Sequence, residues 1–199
     1  YLEKIVNKIN SENPDIVIFG GDIVDREIEP LLQYDAASIL RRIKSKWGVY
    51  AVSGNHEFYG GDRDEILKYL SSSGIIFLKD SLVNINNIFY IAGREDKTNP
   101  RRESIEKIIG NRDLSLPLIL VDHQPYNMDE ALSNGVDLKL SGHTHNGQFW
   151  PGNLIVKLIF ENPYGYLVKD QMHTYVSSGA GIWGPLFRLG SKSEIVSID

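Results

Sequence analysis

The run Asp15-Ile16-Val17-Ile18-Phe19 leads directly into Gly20-Gly21-Asp22-Ile23-Val24-Asp25. A short, continuous apolar run is typical of a strand that is covered on both faces, and the glycine pair marks its end. The pattern returns in residues 49–52, which lead into Ser53-Gly54-Asn55-His56-Glu57, and residues 31–46 between the two runs have helical spacing. A strand, a helix and a second strand in this order predict parallel strands joined by a right-handed crossover.

The rest of the chain predicts more helices and two further groups of strands. Apolar periodicity predicts helices that end before Asn13-Pro14 and that cover residues 62–73, 101–110 and 128–132. Short apolar runs between polar turns predict an antiparallel meander at residues 75–78, 81–84 and 88–92. Buried strands are expected at residues 116–121 and 136–140, and strands of a second sheet at 155–159, 166–168, 174–176 and 194–198.

The bulk composition fits one globular domain that spans residues 1–199. With 42% hydrophobic and 24% charged residues, the chain can bury a sizeable core. The net charge of -5 gives no general attraction to nucleic acid or to an anionic membrane surface. The local pairs Arg41-Arg42 and Arg101-Arg102 could contact phosphate, but each is expected on a solvated helix face.

Any metal site in this chain must use nitrogen and oxygen ligands, because the sequence contains no cysteine. Imidazole and carboxylate ligands favour manganese, iron or zinc without choosing among them. The sequence shows no apolar run long enough to span a bilayer and no signal peptide.

Histidines concentrate where predicted strands end. Four of the five histidines follow such strands, in Asn55-His56, Asp122-His123 and Gly142-His143-Thr144-His145. On its own, the His-x-His turn is more often a pair of surface histidines than a ligand pair. Because parallel strands bring their carboxyl ends to one edge of a sheet, however, these side chains and Asp22 can converge.

Each of the residue types at these strand ends can contribute to a metal-dependent reaction. The aspartate can bridge two cations, the asparagine offers a neutral amide oxygen, and the imidazoles offer nitrogen lone pairs. The candidate ligands are Asp22, Asn55, His123, His143 and His145. Two metals about 3.5–4 Å apart can hold a bridging hydroxide as nucleophile and clamp a phosphoryl group. His56 is better placed to touch substrate, where it could protonate the leaving oxygen.

The ordered blocks resemble those of the calcineurin-like metallophosphoesterase superfamily: Gly20 to Asp25, Gly54-Asn55-His56-Glu57, Asp122-His123 and Gly142-His143-Thr144-His145. The extension of the last block to Gln148 and the tail Gly181-Ile182-Trp183-Gly184-Pro185 are similar to a bacterial branch of membrane-associated or exported phosphohydrolases. The resemblance implies an α/β fold, a four-layer α/β/β/α sandwich with two mixed sheets flanked by helices.

The resemblance also implies a role for each residue that matches a block. Asp22 would bridge two metals, Asn55, His123 and His143 would complete one site, and His145 would belong to the other. His56 would assist the leaving group. The implied function is hydrolysis of a phosphomonoester or phosphodiester by a metal-activated hydroxide, with two divalent ions in the complete protein. The alternative is a non-catalytic metal-binding or interaction scaffold on the same fold.

One block of the superfamily, an Asp-x-His motif after the first strand, has no counterpart in these 199 residues. The chain is therefore expected to lack that strand and to bind one metal much better than the other, or none unless the strand is supplied. The chain on its own could therefore be inactive. Membrane association through an upstream segment, and a membrane-associated or extracytoplasmic location, are implied by the resemblance alone.

Several other residues near the blocks carry weaker expectations. Asp25 is expected to stabilise its turn, and Glu57 either to orient a neighbour or to begin the next loop. Asp122 is expected to make hydrogen bonds at its strand end, and His173, outside every block, to be structural or exposed. Three large aromatic residues could line a substrate entrance but are more often core, namely Trp150, Trp183 and Phe187.

Overall fold

The computed structural model of the chain describes residues 1–113, 115–185 and 187–199. Within these ranges the backbone forms two sheets and eight α-helices. The helices are α1 (Leu2–Ser11), α2 (Glu29–Gln33), α3 (Ala36–Leu40), α4 (His56–Tyr59), α5 (Arg63–Ser71), α6 (Ile105–Ile109), α7 (Met128–Ser133) and α8 (Gly152–Ile159). A short 3-10 helix covers His145–Gly147.

The smaller sheet contains three parallel strands in the order β1 (Val17–Phe19), β2 (Val49–Ala51) and β3 (Ile75–Phe77). Phe19 is paired with Ala51, and Ala51 with Phe77, so the three strands end level with one another. All three carboxyl ends therefore lie at one edge of this sheet.

The larger sheet has six strands, and it mixes parallel with antiparallel pairs. Its strands are β4 (Ser81–Ile85), β5 (Phe89–Gly93), β6 (Leu118–Val121), β7 (Leu138–Ser141), β8 (Gly165–Lys169) and β9 (Met172–Val176). Their order is β4-β5-β6-β7-β9-β8, with antiparallel pairs at the two edges and parallel pairs between β5, β6, β7 and β9.

Three apolar clusters show that the two sheets and their helices form four layers. One cluster packs helices α1, α3 and α5 against the smaller sheet, with Ile66 and Leu70 fully buried. A second packs α6 and α7 against the larger sheet. The third lies between the sheets, where Val52 from the end of β2 is packed with Ile91 of β5 and Val121 of β6. The four-layer α/β sandwich expected from the sequence is thus confirmed, with the mixed pairing confined to the larger sheet.

The single helix expected at residues 31–46 is wrong. The chain forms α2 and α3 instead, and Asp35 separates them with a positive φ of 45°. A residue in the left-handed region cannot continue an α-helix, and aspartate is one of the few non-glycine residues that tolerate that conformation.

The meander expected at residues 75–92 is only partly correct. Strands β4 and β5 form the antiparallel hairpin, but β3 is parallel to β2 in the smaller sheet. Since α5 connects β2 to β3, the segment completes another strand–helix–strand crossover, for which a parallel partner is the rule.

Two expected strands in the last third of the chain are also wrong. Residues 155–159 lie in α8, because a short apolar segment does not by itself distinguish a helix from a strand. Residues 194–198 form no strand. The Glu194 carboxylate accepts hydrogen bonds from Ser177 and from the backbone of Ser178. These contacts, and not strand pairing, hold the start of residues 194–198 in place.

Candidate metal centre

Four side chains meet where the two sheets present their carboxyl ends to each other. Asp22 follows β1, Asn55 follows β2, His123 follows β6 and His143 follows β7. The first two come from the smaller sheet and the last two from the larger sheet. The sandwich itself therefore brings together residues that are up to 121 positions apart in sequence (143 − 22).

The donor atoms of these four side chains lie close together. Nε2 of His123 is 3.0 Å from Oδ2 of Asp22 and 3.1 Å from Oδ1 of Asn55. Nδ1 of His143 is 2.7 Å from the same Asn55 oxygen. The ligand atoms of Asp22, His123 and His143 all lie within 4.8 Å of one another.

These spacings fit a divalent cation. Ligands about 2.0–2.2 Å from one ion lie about 3–3.5 Å from each other, which is close to the donor separations here. Two oxygens and two imidazole nitrogens suit manganese, iron or zinc. The ring of His123 is already oriented, because its Nδ1 donates to the Gly20 carbonyl at 2.7 Å and leaves Nε2 directed at the cluster.

The charges around the cluster set the protonation of its histidines. Burial alone would lower the pKa of His123, but the hydrogen bond and charge of Asp22 outweigh it and raise the pKa to about 9. The same pairing with His123 lowers the pKa of Asp22 despite its burial. Burial and the charge of His123 lower the pKa of His143 to about 4, so His143 is neutral near pH 7.

His145 lies outside the compact group of donors. Its Nδ1 is 3.3 Å from Nη2 of Arg188, and its carbonyl accepts from Nη1 of the same guanidinium at 3.2 Å. Burial, followed by the charge of Arg188, lowers the pKa of His145 to about 4. Because arginine only donates, Nδ1 must be the acceptor, and the proton of the neutral ring is then on Nε2.

His56 occupies a different position, at the start of α4 beside the ligand cluster. Its backbone N–H donates to Oδ1 of Asp22 at 2.9 Å, and its Nδ1 lies 2.7 Å from Oδ1 of Asp25. The ring of Tyr59 lies 5.4 Å from the His56 ring, and an open concavity begins there, lined in part by Tyr59 and Arg26. His56 therefore has one nitrogen held and the other available to a bound molecule.

Glu57 is fully buried and fixes the loop that carries Asp22. Its carboxylate accepts from four backbone N–H groups, those of Asp22, Ile23, Val24 and Gly54, at 2.6–3.1 Å. Burial and the charge of Asp22 raise the pKa of Glu57, whereas the amide donors oppose that change. Of the two roles left open by the sequence, orientation of a neighbour is the one that the geometry shows.

Two glycines allow the loops of the site to approach each other. A Cβ on Gly54 would lie 2.1 Å from Oδ1 of Asp22, and a Cβ on Gly21 would lie 2.6 Å from Nδ1 of His123. Gly21 also has a φ of 97°, a conformation that side chains rarely adopt. Gly54 is therefore required for space, and Gly21 for both space and backbone conformation.

Asp122 lies behind the ligand cluster in a buried network of charges. Its carboxylate is 3.3 Å from Arg102 and 3.8 Å from Arg94, and its carbonyl accepts from Ser141. The fully buried Lys139 donates to Ser141 at 3.1 Å. Asp122 makes contacts at the end of its strand, as expected. The solvated helix face expected for Arg101-Arg102 is wrong, because both residues precede α6 and Arg102 turns inward to Asp122.

The core position expected for Trp150, Trp183 and Phe187 is wrong, because these side chains are 62%, 44% and 57% exposed. Trp150 follows the His-x-His turn, whereas Trp183 bonds to Gln148 and the Phe187 ring lies 6.2 Å from Phe149. His173, by contrast, is exposed on β9 as expected, where its Nδ1 bonds to Tyr166.

Among the residues that the structure describes, no helix combines the length and apolar character that crossing a membrane requires.

The structure brings Asp22, Asn55, His123 and His143 together, with His56 beside them and His145 apart from the cluster. The sequence did not predict the contact between Asp25 and His56 or the contact between Arg188 and His145. Asp25 lies in the same loop as Asp22, so a part of that signal was present in the sequence. Arg188 is 43 residues beyond His145, and no pattern in the sequence connects the two.

Comparison with known proteins identifies the family of the chain. Residues 1–147 match the family model described as calcineurin-like phosphoesterase. A metallophosphoesterase of Helicobacter pylori (strain J99) is 37% identical over 98% of this chain and 53% of its own length. One from Aquifex aeolicus is 35% identical over 99% of this chain and 77% of its own length. A transmembrane protein with a metallophosphoesterase domain from Danio rerio is 32% identical over 99% of this chain and 48% of its own length.

Solved structures support the fold alone, at low sequence identity. A Staphylococcus aureus protein assigned as a 5′-nucleotidase superposes with a TM-score of 0.52 at 12% identity, over 90% of this chain and 43% of that chain. The NAD nucleotidase of Haemophilus influenzae gives 0.50 at 15% identity, over 89% and 43%. The chain spans about half the length of the first curated relatives, which include bacterial and animal proteins. The matched blocks and the family model show that the chain belongs to the calcineurin-like phosphoesterase family.

Proposed function

We propose that the chain is a metal-dependent phosphoesterase domain, a single domain over residues 1–199. The observation that carries this proposal is the convergence of Asp22, Asn55, His123 and His143 on one point, with His56 held beside them. Family membership supports the reaction class. The names of the relatives leave the substrate open, so both a phosphomonoester and a phosphodiester enter the test.

A divalent cation bound by the four ligands would supply a Lewis acid for the phosphoryl oxygens and an acidified water. The protein would contribute two further effects. Glu57 holds the ligand loops in place, because it accepts from the amides of Asp22 and Gly54. His56, oriented by Asp25, would present Nε2 to the leaving oxygen and deliver a proton there when the ring is protonated.

We propose that one ion binds at Asp22, Asn55, His123 and His143 and that a second ion binds this chain weakly. A second site would have only Asp22 and His145, and the Nδ1 lone pair of His145 is directed at Arg188. Two protein ligands are fewer than the three or more that zinc sites normally use. Manganese, iron and zinc all suit the ligand set.

Hydrolysis assays on p-nitrophenyl phosphate and bis(p-nitrophenyl) phosphate, with Mn²⁺, Fe²⁺ or Zn²⁺ added, test the function. The substitution His123→Ala should remove the metal and the activity together. His56→Ala should keep the metal and lower kcat by about 100-fold or more. His173→Ala is the matched control, since this histidine is exposed and lies on β9, and it should change neither quantity.

A non-catalytic metal-binding scaffold is the second candidate, and the Arg188 contact of His145 favours it because this contact occupies a possible second ligand. Under this alternative the chain would bind one metal through Asn55 and His123 but hydrolyse neither ester with any of the three ions. His56→Ala would then have no measurable effect. An activity that depends on His56 would exclude the scaffold.

A further inference from the structure

Two apolar segments next to the metal centre are exposed to solvent. In α8, the side chains of Leu154, Ile155, Leu158 and Ile159 are 51–89% exposed, and no residue of this helix is buried. The tail contributes Trp183 and Phe187, and Trp150 lies directly before α8. We call α8 together with these three aromatic residues the apolar face. An exposed surface of this kind normally marks an interaction site.

The tail part of the apolar face is held by a buried scaffold. Gln148 is fully buried, and its side-chain amide donates to the Trp183 carbonyl at 2.7 Å and accepts from the Trp183 N–H at 3.0 Å. The rings of Phe149 and Phe187 lie 6.2 Å apart, and the Trp150 N–H donates to the Leu189 carbonyl. The aromatic side chains are therefore presented on a fixed backbone.

Helix α8 packs against the His-x-His turn at its start and ends next to His143. Near its start, the backbones of Gly147 and Gly152 are so close that a Cβ on Gly152 would lie 2.5 Å from the Gly147 carbonyl oxygen. At its end, the buried Phe160 ring lies 4.8 Å from Tyr126 and 6.1 Å from His143. Whatever covers α8 must therefore lie beside the ligand cluster.

The one charged residue of the apolar face is basic, because residues 149–160 contain only Lys157. In the tail, residues 179–192 contain the exposed Lys192 and no acidic residue, while the Arg188 guanidinium turns inward to His145 and Ser178. The chain as a whole has a net charge of -5. The acidic residues nearest in sequence are Glu161, which pairs with Lys169, and Glu194, which accepts from Ser177 and from the backbone of Ser178. A basic and apolar face on an acidic protein is complementary to an anionic surface.

We propose that the apolar face docks on the surface of a lipid bilayer that contains anionic lipids. Helix α8 has eight residues and is about 12 Å long, whereas the hydrocarbon core of a bilayer is about 30 Å thick. The helix can therefore lie in the membrane interface but cannot cross the bilayer. Tryptophan and phenylalanine beside lysine are residues that favour this interface. A second copy of the chain fits less well, because two such faces would bring like charges together.

Co-sedimentation with vesicles tests the docking. The chain should bind vesicles of phosphatidylcholine mixed with phosphatidylglycerol, and bind vesicles of phosphatidylcholine alone more weakly. Leu158→Asp, at the most exposed apolar side chain of α8, should weaken binding by about tenfold or more, because it removes apolar insertion and adds a repelled charge. Since Leu158 is 89% exposed, folding should be unaffected. Quenching of Trp150 and Trp183 by brominated lipid should accompany binding.

The matched control is Ile88→Asp. Ile88 is 49% exposed in the turn between β4 and β5, at the opposite edge of the larger sheet from the metal centre, so this variant should bind vesicles like the parent chain. The proposal is overturned if the parent chain does not sediment with anionic vesicles or if both variants bind equally well. It is also overturned if Leu158→Asp converts a lipid-free dimer into a monomer, because a second copy would then cover the face. Vesicle binding is measured without substrate, so a failure of docking can be distinguished from a failure of the proposed hydrolysis.

Discussion

The Asp25 carboxylate lies 2.7 Å from Nδ1 of His56, which fixes the ring and leaves Nε2 free for a substrate. Asp25→Ala should therefore lower kcat for an aryl phosphodiester by about tenfold with little change in KM, because it removes orientation of the ring and not substrate binding. Steady-state kinetics with saturating metal measure both parameters.

Asp25→Asn provides the control for this prediction. The asparagine can still accept a hydrogen bond from Nδ1, so most of the activity should return. If the alanine and asparagine variants are equally slow, the negative charge of Asp25 is what matters; if both are fully active, Asp25 does not position His56.

Glu57→Ala should destabilise the fold and weaken metal binding together. The substitution leaves four backbone N–H groups without their buried acceptor, and it should lower the free energy of unfolding by about 3 kcal/mol or more. Urea unfolding and a metal titration measure the two effects. Glu65→Ala is the matched control, because Glu65 is exposed on α5, and a change of less than about 0.5 kcal/mol is expected there. An unchanged stability of Glu57→Ala would contradict this account of the loop.

Metal affinity should rise with pH up to about 9, the pKa of His123. The ion must displace the proton that Nε2 of His123 shares with Asp22, whereas His143, with a pKa of about 4, has no added proton to release near pH 7. The apparent affinity should therefore increase about tenfold per pH unit between pH 7 and 9. Calorimetry in buffers of different ionisation enthalpy should show about one proton released per metal bound.

The metal-free chain should show the opposite trend for this residue. The pKa of His123 is raised on folding, from 6.5 to about 9, so its pairing with Asp22 stabilises the fold fully below pH 6.5 and loses that effect as the pH rises through 9. The stability difference between the parent chain and His123→Asn should shrink over this range when it is measured with a chelator present. A difference that grows with pH would contradict the assigned shift.

Arg188→Ala should loosen the tail around the His-x-His turn. The Arg188 guanidinium donates to the carbonyl oxygens of His145, Ser178 and Gly179 at 2.7–3.2 Å, so its loss leaves several acceptors unpaired. A loss of about 2–3 kcal/mol in stability and faster hydrogen exchange in residues 178–185 are expected.

Arg188→Lys should rescue little, because a single ammonium cannot reproduce the planar guanidinium. Arg101→Ala is the surface control, since Arg101 is exposed, and it should leave the exchange of the tail unchanged. Full rescue by lysine would show that the positive charge alone is sufficient.

The part of the site that the sequence predicts is the part that strand order dictates. Asp22, Asn55, His123 and His143 each follow an apolar run, and parallel strands bring such ends to one edge whatever the connecting segments do. Contacts that depend on the path of a connection were not predictable. Arg188 reaches His145 because the tail folds back over the His-x-His turn, and neither residue lies in a periodic pattern that could report this.

The errors in the fold have a similar origin. A short, mostly apolar segment predicted a strand at residues 155–159, but the same segment is compatible with the exposed helix α8. Residues 75–77 were correctly predicted as a strand. Their pairing partner depends on which strand has an unpaired edge next to the end of α5, and that strand is β2. Local sequence thus predicts the type of an element better than its neighbours.

Gly21 and Gly54 are required for this site, although neither would touch an ion. In a scan of all substitutions at every position, these two should tolerate replacement as poorly as His123 itself, although neither offers a ligand atom. The smallest side chain at Gly54 would occupy the space of the Asp22 carboxylate, 2.1 Å away. Such a scan would then score both positions as functional. The geometry gives the reason, because a side chain at either position would collide with Asp22 or His123.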